Sequence, residues 1–555
     1  MISVTRGIWR SILGAVFIVL VFTTYRLSTS SHSYSPLFST DQPVLVPKPD
    51  IIGYKAKPHH QFWADLFVVL NANKPELPSV ETAIEYRKDA PKDGVKTKQN
   101  LANRATISKE TIKELQQKHK QVLNDLPELT KVVYHPETSG IVLVGGGKFS
   151  WLAYLSVLSI RDTGCKLPVE VVLPKYDDYE KEIHYCSELL PKLNARCVVV
   201  PDVLGPSVML EWGNKLANYQ FKSLALMVSS FQNILLVDAD NILVKSPEPL
   251  FASQLFKDYG MVTWPDYWER TIAPDFYEVA GVKVDEKTRS RYNRYPMDPK
   301  IKLTDEDVDQ VPYHDLEGAI SDLSSESGQL LINKATHSKT LLLSLYYNIY
   351  GPKIYYKLLS LGEQGEGDKD TFPAAAHVAG EKYYQVKSFI KTFGYADSDN
   401  KFQGVAMGQK DPLLDYELFQ KKAVAPLRGK NMGMQEQVDL LKKVSREDFG
   451  EDGLPLFTIH CNYPKLDPLT LMDRDDLYDK EKAVLKYRIY GGLKYKKPTV
   501  KDGKLTEIEE DFELQQWKNM KMALCDRKYE FTHFNSKNID KVCELVKNQV
   551  TKLSA

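Results

Sequence analysis

Two carboxylates one residue apart stand where an apolar run ends. Residues 234–237 (Ile-Leu-Leu-Val) lead into Asp238-Ala239-Asp240, and Ile242-Leu243-Val244 follows. The first run has the length and branching of a strand buried on both faces. Like charges at such a strand end repel one another and resist burial unless a cation offsets them. A hard divalent ion does this through carboxylate oxygens and keeps positions open for phosphates. Asp-x-Asp recurs at Asp305/Asp307, Asp307/Asp309, Asp368/Asp370, Asp397/Asp399 and Asp473/Asp475, mostly in the polar surroundings of a solvated surface. Position separates Asp238 and Asp240 from these, because open α/β sheets bind ligands at the carboxyl ends of their strands. An acidic turn capping a following helix is the competing reading. An EF-hand is excluded, since the glycine and the twelfth-position glutamate of its loop are missing.

Three further stretches carry groups suited to chemistry. Gly145-Gly146-Gly147-Lys148 follows the apolar run 141–144 and matches neither standard phosphate-loop pattern. A glycine turn there lets backbone approach a nucleotide, though a plain tight turn reads the same way. Asp368 and Asp370 lie in Gly362-Glu-Gln-Gly-Glu-Gly-Asp-Lys-Asp-Thr-Phe372. Acids in such a loop hold hydroxyls or stabilise positive charge at an anomeric carbon; a solvated loop has the same composition. His460 ends the apolar run 457–459 much as Asp238 ends its own, and Lys465 follows close behind, able to balance a phosphate. Lys215 and Lys222 precede the acidic strand on an expected helix, either as diphosphate contacts or as a solvated face.

The elements that must position these groups are legible as a pattern. Strands expected at 141–144, 169–173, 196–200, 234–237 and 260–264 alternate with helices at 151–161, 179–190 and 212–226. That alternation predicts a mostly parallel sheet with helices on both faces. Residues 265–270 form an aromatic and charged cluster suited to a sugar-binding rim. Ser325-Glu-Ser-Gly-Gln329 reads as a small-residue turn opening on the strand 330–333, where glycine lets backbone come close to a sugar. Residues 283–309 read as a charged, irregular, exposed insertion, and 59–70 as a short helix. Ser108 reads as the N-cap of a thinly amphipathic helix, and 505–522 as an amphipathic C-terminal stretch.

Composition and the N-terminus bound the rest. Lys+Arg and Asp+Glu are equal at 73 each, which gives no bulk charge for nucleic-acid binding. Arg6 and Arg10 precede the apolar run 11–25, and Arg26 closes it. Counted from Gly7, with Arg10 snorkelling, the run nears the ~20 residues of a membrane span. No small-x-small cleavage site follows, and basic residues in front favour a cytosolic N-terminus. The expected layout is a cytosolic tail at 1–10, a signal anchor at 11–25, a stem with leading helices at 26–130, a catalytic domain at 131–480, and a C-terminal extension at 481–555 packed on it. The six cysteines include no Cys-x-x-Cys pair. In an oxidising lumen the expected disulfides are Cys525–Cys543 and one pair among Cys165, Cys186 and Cys197. The chain carries no Asn-x-Ser/Thr sequon, which runs against the secretory reading.

The segment Ile-Leu-Leu-Val-Asp-Ala-Asp-Asn, with Lys245-Ser-Pro-Glu-Pro-Leu-Phe251 behind it, resembles the metal motif of nucleotide-sugar glycosyltransferases of the GT-A fold. More closely it resembles the fungal Golgi α-mannosyltransferases that build side chains on cell-wall mannan, as does Gly-Asp368-Lys-Asp370-Thr-Phe372. The resemblance covers roughly residues 140–468. It implies a GT-A-like α/β fold behind a membrane anchor, in a single-pass type II protein of the Golgi membrane with its catalytic domain in the lumen. It also implies manganese-dependent, retaining transfer of mannose from GDP-mannose to mannan or N-glycan outer chains. On that resemblance Asp238, Asp240 and His460 bind the metal. Asp370 or Asp368 assists at the anomeric centre, while Gly145, Gly146, Lys222 and Lys465 contact the donor's nucleotide and phosphates. An α-1,2 linkage is implied, with α-1,3 transfer as the close alternative. A non-catalytic, lectin-like subunit in a complex with other mannosyltransferases and a nucleotidyltransferase are readings of other classes that the same fold would serve.

Overall fold

The protein's computed structural model describes residues 58–90, 93–129, 133–501 and 504–555. The expected cytosolic tail, anchor and first part of the stem lie outside the described residues. Among those described, no helix is long and apolar enough to cross a membrane.

Strands β1 (His135–Val144), β2 (Val169–Leu173), β3 (Ala195–Val199) and β4 (Phe231–Val237) pair in parallel in the order β3-β2-β1-β4. Alternate side chains point to opposite faces. Ile141, Leu143, Leu235 and Val237 enter one core, while Val142, Ile234 and Leu236 enter the other. That two-sided burial is why these strands read as unbroken apolar runs. After the acidic turn the chain forms β5 (Asn241–Leu243), which leaves this sheet for another. Strands β6 (Met261–Pro265), β7 (Ser325–Asn333) and β8 (Tyr384–Gln385) complete the first sheet. Its order among the described residues is β3-β2-β1-β4-β7-β6-β8. Strand β7 runs antiparallel to both neighbours, so the sheet is mixed and parallel-rich.

A second, antiparallel sheet consists of β9 (Lys391–Ala396), β10 (Phe402–Lys410) and β11 (Leu456–His460), with β5 on its far edge. It carries β11 to the carboxyl end of β4. Helices α1 (Lys148–Asp162), α2 (Gln220–Val228), α3 (Ser338–Ile349) and α4 (Thr371–Ala379) surround the first sheet. The C-terminal helices α5 (Phe512–Met520) and α6 (Ile539–Ser554) share a core with α1: Trp151, Leu155, Trp517 and Leu545 are all buried in it. The leading helix Pro58–Ala72 lends Trp63 and Leu66 to the opposite core.

Several local expectations change. Residues 285–302 are not irregular: strands Asp285–Tyr292 and Tyr295–Lys302 form a hairpin that pairs further with Leu316–Glu317. Tyr295 and Met297 are buried there, and the Arg289–Asp315 ion pair (2.6 Å) is nearly so. The first of these strands has no apolar residue before Tyr292 and buries Thr288, Arg289 and Ser290 instead, which hides it in a composition reading. The helix expected at 212–226 breaks into Pro206–Trp212 and α2, and that at 179–190 into Tyr176–Lys181 and a π-turn at Tyr185–Leu189. Residues 505–522 divide between the strand Lys504–Asp511 and α5. Ser325–Gln329 is strand, not turn; its pairing with β6 shifts register between Glu326 and Leu331. The disulfides, by contrast, are as expected: Cys525–Cys543, and Cys186–Cys197 as the pair among the first three cysteines, while Cys165 and Cys461 are free and buried.

Candidate functional site

The site forms where β4 and β11 end beside the first residues of antiparallel β7. Asp238 closes β4 and donates its backbone N–H to the Gly328 carbonyl of antiparallel β7 (2.8 Å). The Asn241 N–H returns to the Asp238 carbonyl (2.9 Å), so the Asp-Ala-Asp turn is tight. Asp240 then lies against β11, where the Cys461 N–H donates to its carbonyl (2.9 Å). His460, the last residue of β11, pairs with Asn241 and Met407.

These three side chains converge. Ligand atoms of Asp238, Asp240 and His460 all lie within 4.8 Å of one another. His460 Nε2 is 3.4 Å from Asp240 Oδ1 and 4.0 Å from Asp238 Oδ2. Lys222 reaches in from α2 and donates to Asp238 Oδ2 (2.8 Å) and to the Ser327 carbonyl (3.2 Å). Lys465 donates to Asp240 Oδ2, and His460 Nδ1 meets Glu326 Oε1. Asp368 is buried at the same place, 3.9 Å from Lys222 Nζ, and accepts from the Ser327 hydroxyl (3.1 Å). Its Oδ2 accepts no hydrogen bond among the described residues.

The electrostatics follow from that packing. Burial raises the Asp368 carboxyl above its ordinary range and neighbouring Asp238 adds to this, against the pull of Lys222. Burial also pushes Asp240 up, but His460 and Lys465 outweigh it and hold the carboxyl below the usual range. His460 is pushed down by burial, yet Asp240 and Glu326 raise it to about 10. Three carboxylates (Asp238, Asp240 and Asp368) thus face the ammonium groups of Lys222 and Lys465, and a fourth, Glu326, faces His460. Asp240 and Glu326 hold a proton on His460; with that proton gone and all four carboxyls ionised, the group would carry two negative charges in excess. The donor set of two carboxylates and an imidazole suits a divalent cation.

The other expected residues divide. Asp370 is adjacent but consumed: it accepts from Arg270 Nη1 (2.5 Å), the Ser324 hydroxyl (2.9 Å) and the Ser325 N–H (2.9 Å). Arg270 is completely buried. Together with Lys369–Asp266 (2.7 Å), this pair fastens the loop 266–270, on which Tyr267 and Trp268 stay partly exposed. Gly145 and Gly146 form the turn between β1 and α1. Gly146 has φ 100°, a conformation that favours glycine, and a Cβ on it would meet the Asp178 carboxylate. That turn neighbours the acids through Phe149, whose ring lies 5.8 Å from Lys465 Nζ. Lys215 pairs with Glu211 (3.6 Å) and stacks over Trp212, whereas Lys222 is the lysine that joins the cluster.

Sequence reasoning gave Glu326 no role. Its charge inside an otherwise buried strand was the available signal. The glycine beside it also has a different reason than expected: a Cβ on Gly328 would strike Glu326 Oε1 and the His460 ring. Glycine here keeps the histidine and its partner in place.

A mixed sheet with a paired-carboxylate and histidine cluster at its strand ends defines a ligand site of the α/β class. The family model described as "Mannosyltransferase putative" matches residues 138–411. Alpha-1,2-mannosyltransferase MNN23 of Candida albicans is 51% identical over 89% of this chain and 84% of its own length. Alpha-1,2-mannosyltransferase MNN2 of Saccharomyces cerevisiae is 37% identical over 77% of this chain and 71% of its own. Among solved structures, mouse xyloside xylosyltransferase 1 matches with a TM-score of 0.26 at 15% identity, covering 45% of this chain and 85% of that one. A superposition that loose places no residue. The chain belongs to the α-1,2-mannosyltransferase family of these yeast proteins.

Proposed function

We propose that the chain transfers mannose from GDP-mannose, with retention, to mannan or N-glycan outer chains in α-1,2 linkage. The mannosyl and α-1,2 assignments are supported by the relatives' names. The observation that carries the chemistry is the convergence of Asp238, Asp240 and His460, whose ligand atoms all lie within 4.8 Å of one another. The parallel-rich central sheet with helices around it supports the GT-A-like reading. The apolar run 11–25 supports a signal anchor, with the described residues in the Golgi lumen.

A divalent cation such as Mn2+, held by Asp238, Asp240 and His460, supplies positive charge to the departing diphosphate. Lys222 and Lys465 already lie against the two aspartates and are at hand for phosphate oxygens. Asp368, buried against Lys222 (3.9 Å) and the Ser327 hydroxyl (3.1 Å), adds its carboxyl to the same cluster and assists electrostatically at the anomeric centre. Asp370 acts through the loop 266–270 instead, keeping Tyr267 and Trp268 at the rim where an acceptor glycan would rest.

The test uses the purified full-length chain with GDP-mannose and a panel of α-mannosides, with Mn2+ or EDTA, beside Asp238→Asn/Asp240→Asn. Metal-dependent transfer lost in the double variant, with an α-1,2 product, is expected. Folded protein that binds mannan yet transfers nothing from any nucleotide sugar would refute the reading.

A further inference from the structure

We propose that Glu326 is a positioning residue that fixes which nitrogen of His460 faces the acid pair, so that cation binding depends on it. The inference rests on the metal reading above and assigns a role to a residue outside the ligand set.

Glu326 is 6% exposed and lies on β7, beside the β4 end. Its Oε2 accepts from Gln329 Nε2 (3.0 Å) and from Gln409 Nε2. Neither amide is free to turn over. Gln409 Nε2 also donates to the Pro265 carbonyl (2.8 Å), which accepts only from a donor. Gln329 Oε1 accepts from Asn241 Nδ2 and from the Thr458 hydroxyl (3.2 Å), and Asn241 Nδ2 is itself oriented by the Gly328 carbonyl (2.9 Å). Two lines of donors therefore start at backbone carbonyls and end on Glu326 Oε2.

The other oxygen, Oε1, faces His460 Nδ1. A carboxylate can only accept, so Nδ1 carries the hydrogen. In the neutral ring the lone pair is then on Nε2, the atom that faces Asp240 and Asp238. Carboxylate partners of this kind orient a ligating histidine and raise its basicity. A glutamine cannot replace Glu326 in this arrangement, because it has one oxygen for two sets of donors. If that oxygen serves Gln329 and Gln409, its amide N–H points at Nδ1 and drives the ring hydrogen onto Nε2. If it serves Nδ1, three amide donors crowd together. Both outcomes degrade the ligand.

The experiment measures Mn2+ affinity of the purified full-length chain by electron paramagnetic resonance. Spin-echo modulation from a coordinated nitrogen is recorded on the bound ion. Glu326→Gln is expected to weaken binding by ~10–100-fold and to diminish the nitrogen modulation. In a His460→Ala background the same substitution should change affinity less than ~2-fold, since Glu326 acts through the ring. Metal-free melting temperatures establish that the variants are folded. Should Glu326→Gln not fold, Gln409→Leu removes one donor from Oε2 and should show a smaller loss, again absent in the His460→Ala background. Glu326→Gln binding Mn2+ like wild type, or losing equally in both backgrounds, overturns the proposal alone. A wild-type chain that binds no Mn2+ overturns the metal reading and this inference together.

Discussion

Asp368 and Asp370 differ by one position in sequence but sit in opposite situations, and substituting each with asparagine should separate them. Asp370→Asn removes the charge that faces completely buried Arg270 and disturbs its bonds with Ser324 and Ser325. Breaking one side of a buried ion pair costs about 3–5 kcal/mol, because the remaining charge is left without a counterion. At ~2 cal/mol/K of unfolding entropy per residue, a folded body of this length loses about 1 °C of melting temperature per kcal/mol. A drop of about 3–5 °C is therefore expected for Asp370→Asn. Asp368→Asn instead removes a carboxylate that burial and Asp238 already disfavour and whose Oδ2 accepts no hydrogen bond among the described residues. Its melting temperature should hold or rise, while transfer falls by ~10²–10³-fold, the scale of losing one well-placed polar group at a reacting centre. Differential scanning fluorimetry and mannosyl transfer from GDP-mannose are read on the same preparations. If Asp370→Asn melts with wild type, or Asp368→Asn keeps wild-type transfer, the division between a fastening carboxylate and one that serves the reaction is wrong.

Further outcomes follow from other parts of the site. Because the metal-free protein holds His460 at about 10, a cation must displace its proton, and apparent Mn2+ affinity should rise ~10-fold per pH unit below that point. Calorimetry in buffers of different ionisation enthalpy should count about one proton released; none released would refute the histidine as ligand. Gly328→Ala should lower Mn2+ affinity and transfer together, since its Cβ strikes Glu326 and His460; a variant with unchanged binding would show that the ring has room to move. Burial lowers Lys334 to about 7, where it donates to the Met227 and Ser229 carbonyls. Above pH 7 the unfolded chain then binds the extra proton, so stability relative to Lys334→Met should rise with pH by ~1 kcal/mol per unit until the unfolded lysine itself titrates. Urea unfolding from pH 7 to 9 measures this, and a flat difference would refute the buried-amine assignment.

The strands β1, β2, β3 and β4 were readable because burial on both faces leaves an unbroken apolar run, and Asp238 and Asp240 stood out by interrupting one. The second sheet was not readable in that way. Its four strands come from residues 241, 391, 402 and 456 onward, and no local pattern states that β5 pairs with β11. Yet that pairing brings His460 to Asp240. The glycosyltransferase resemblance offered the histidine, and the geometry supplied its neighbours. Glu326, Gln329 and Gln409 are ordinary polar residues in sequence; they form a network because β7 and β10 meet at buried ends, where every donor must find an acceptor. The sequence by itself determined the apolar alternation, the acidic interruption and the glycine turn, since periodicity and charge are local properties. Tertiary structure alone decided which acids face the site and which are bound to arginine, because that depends on contacts across more than a hundred residues of chain, as between Lys222 and Ser327 or Asp240 and Lys465.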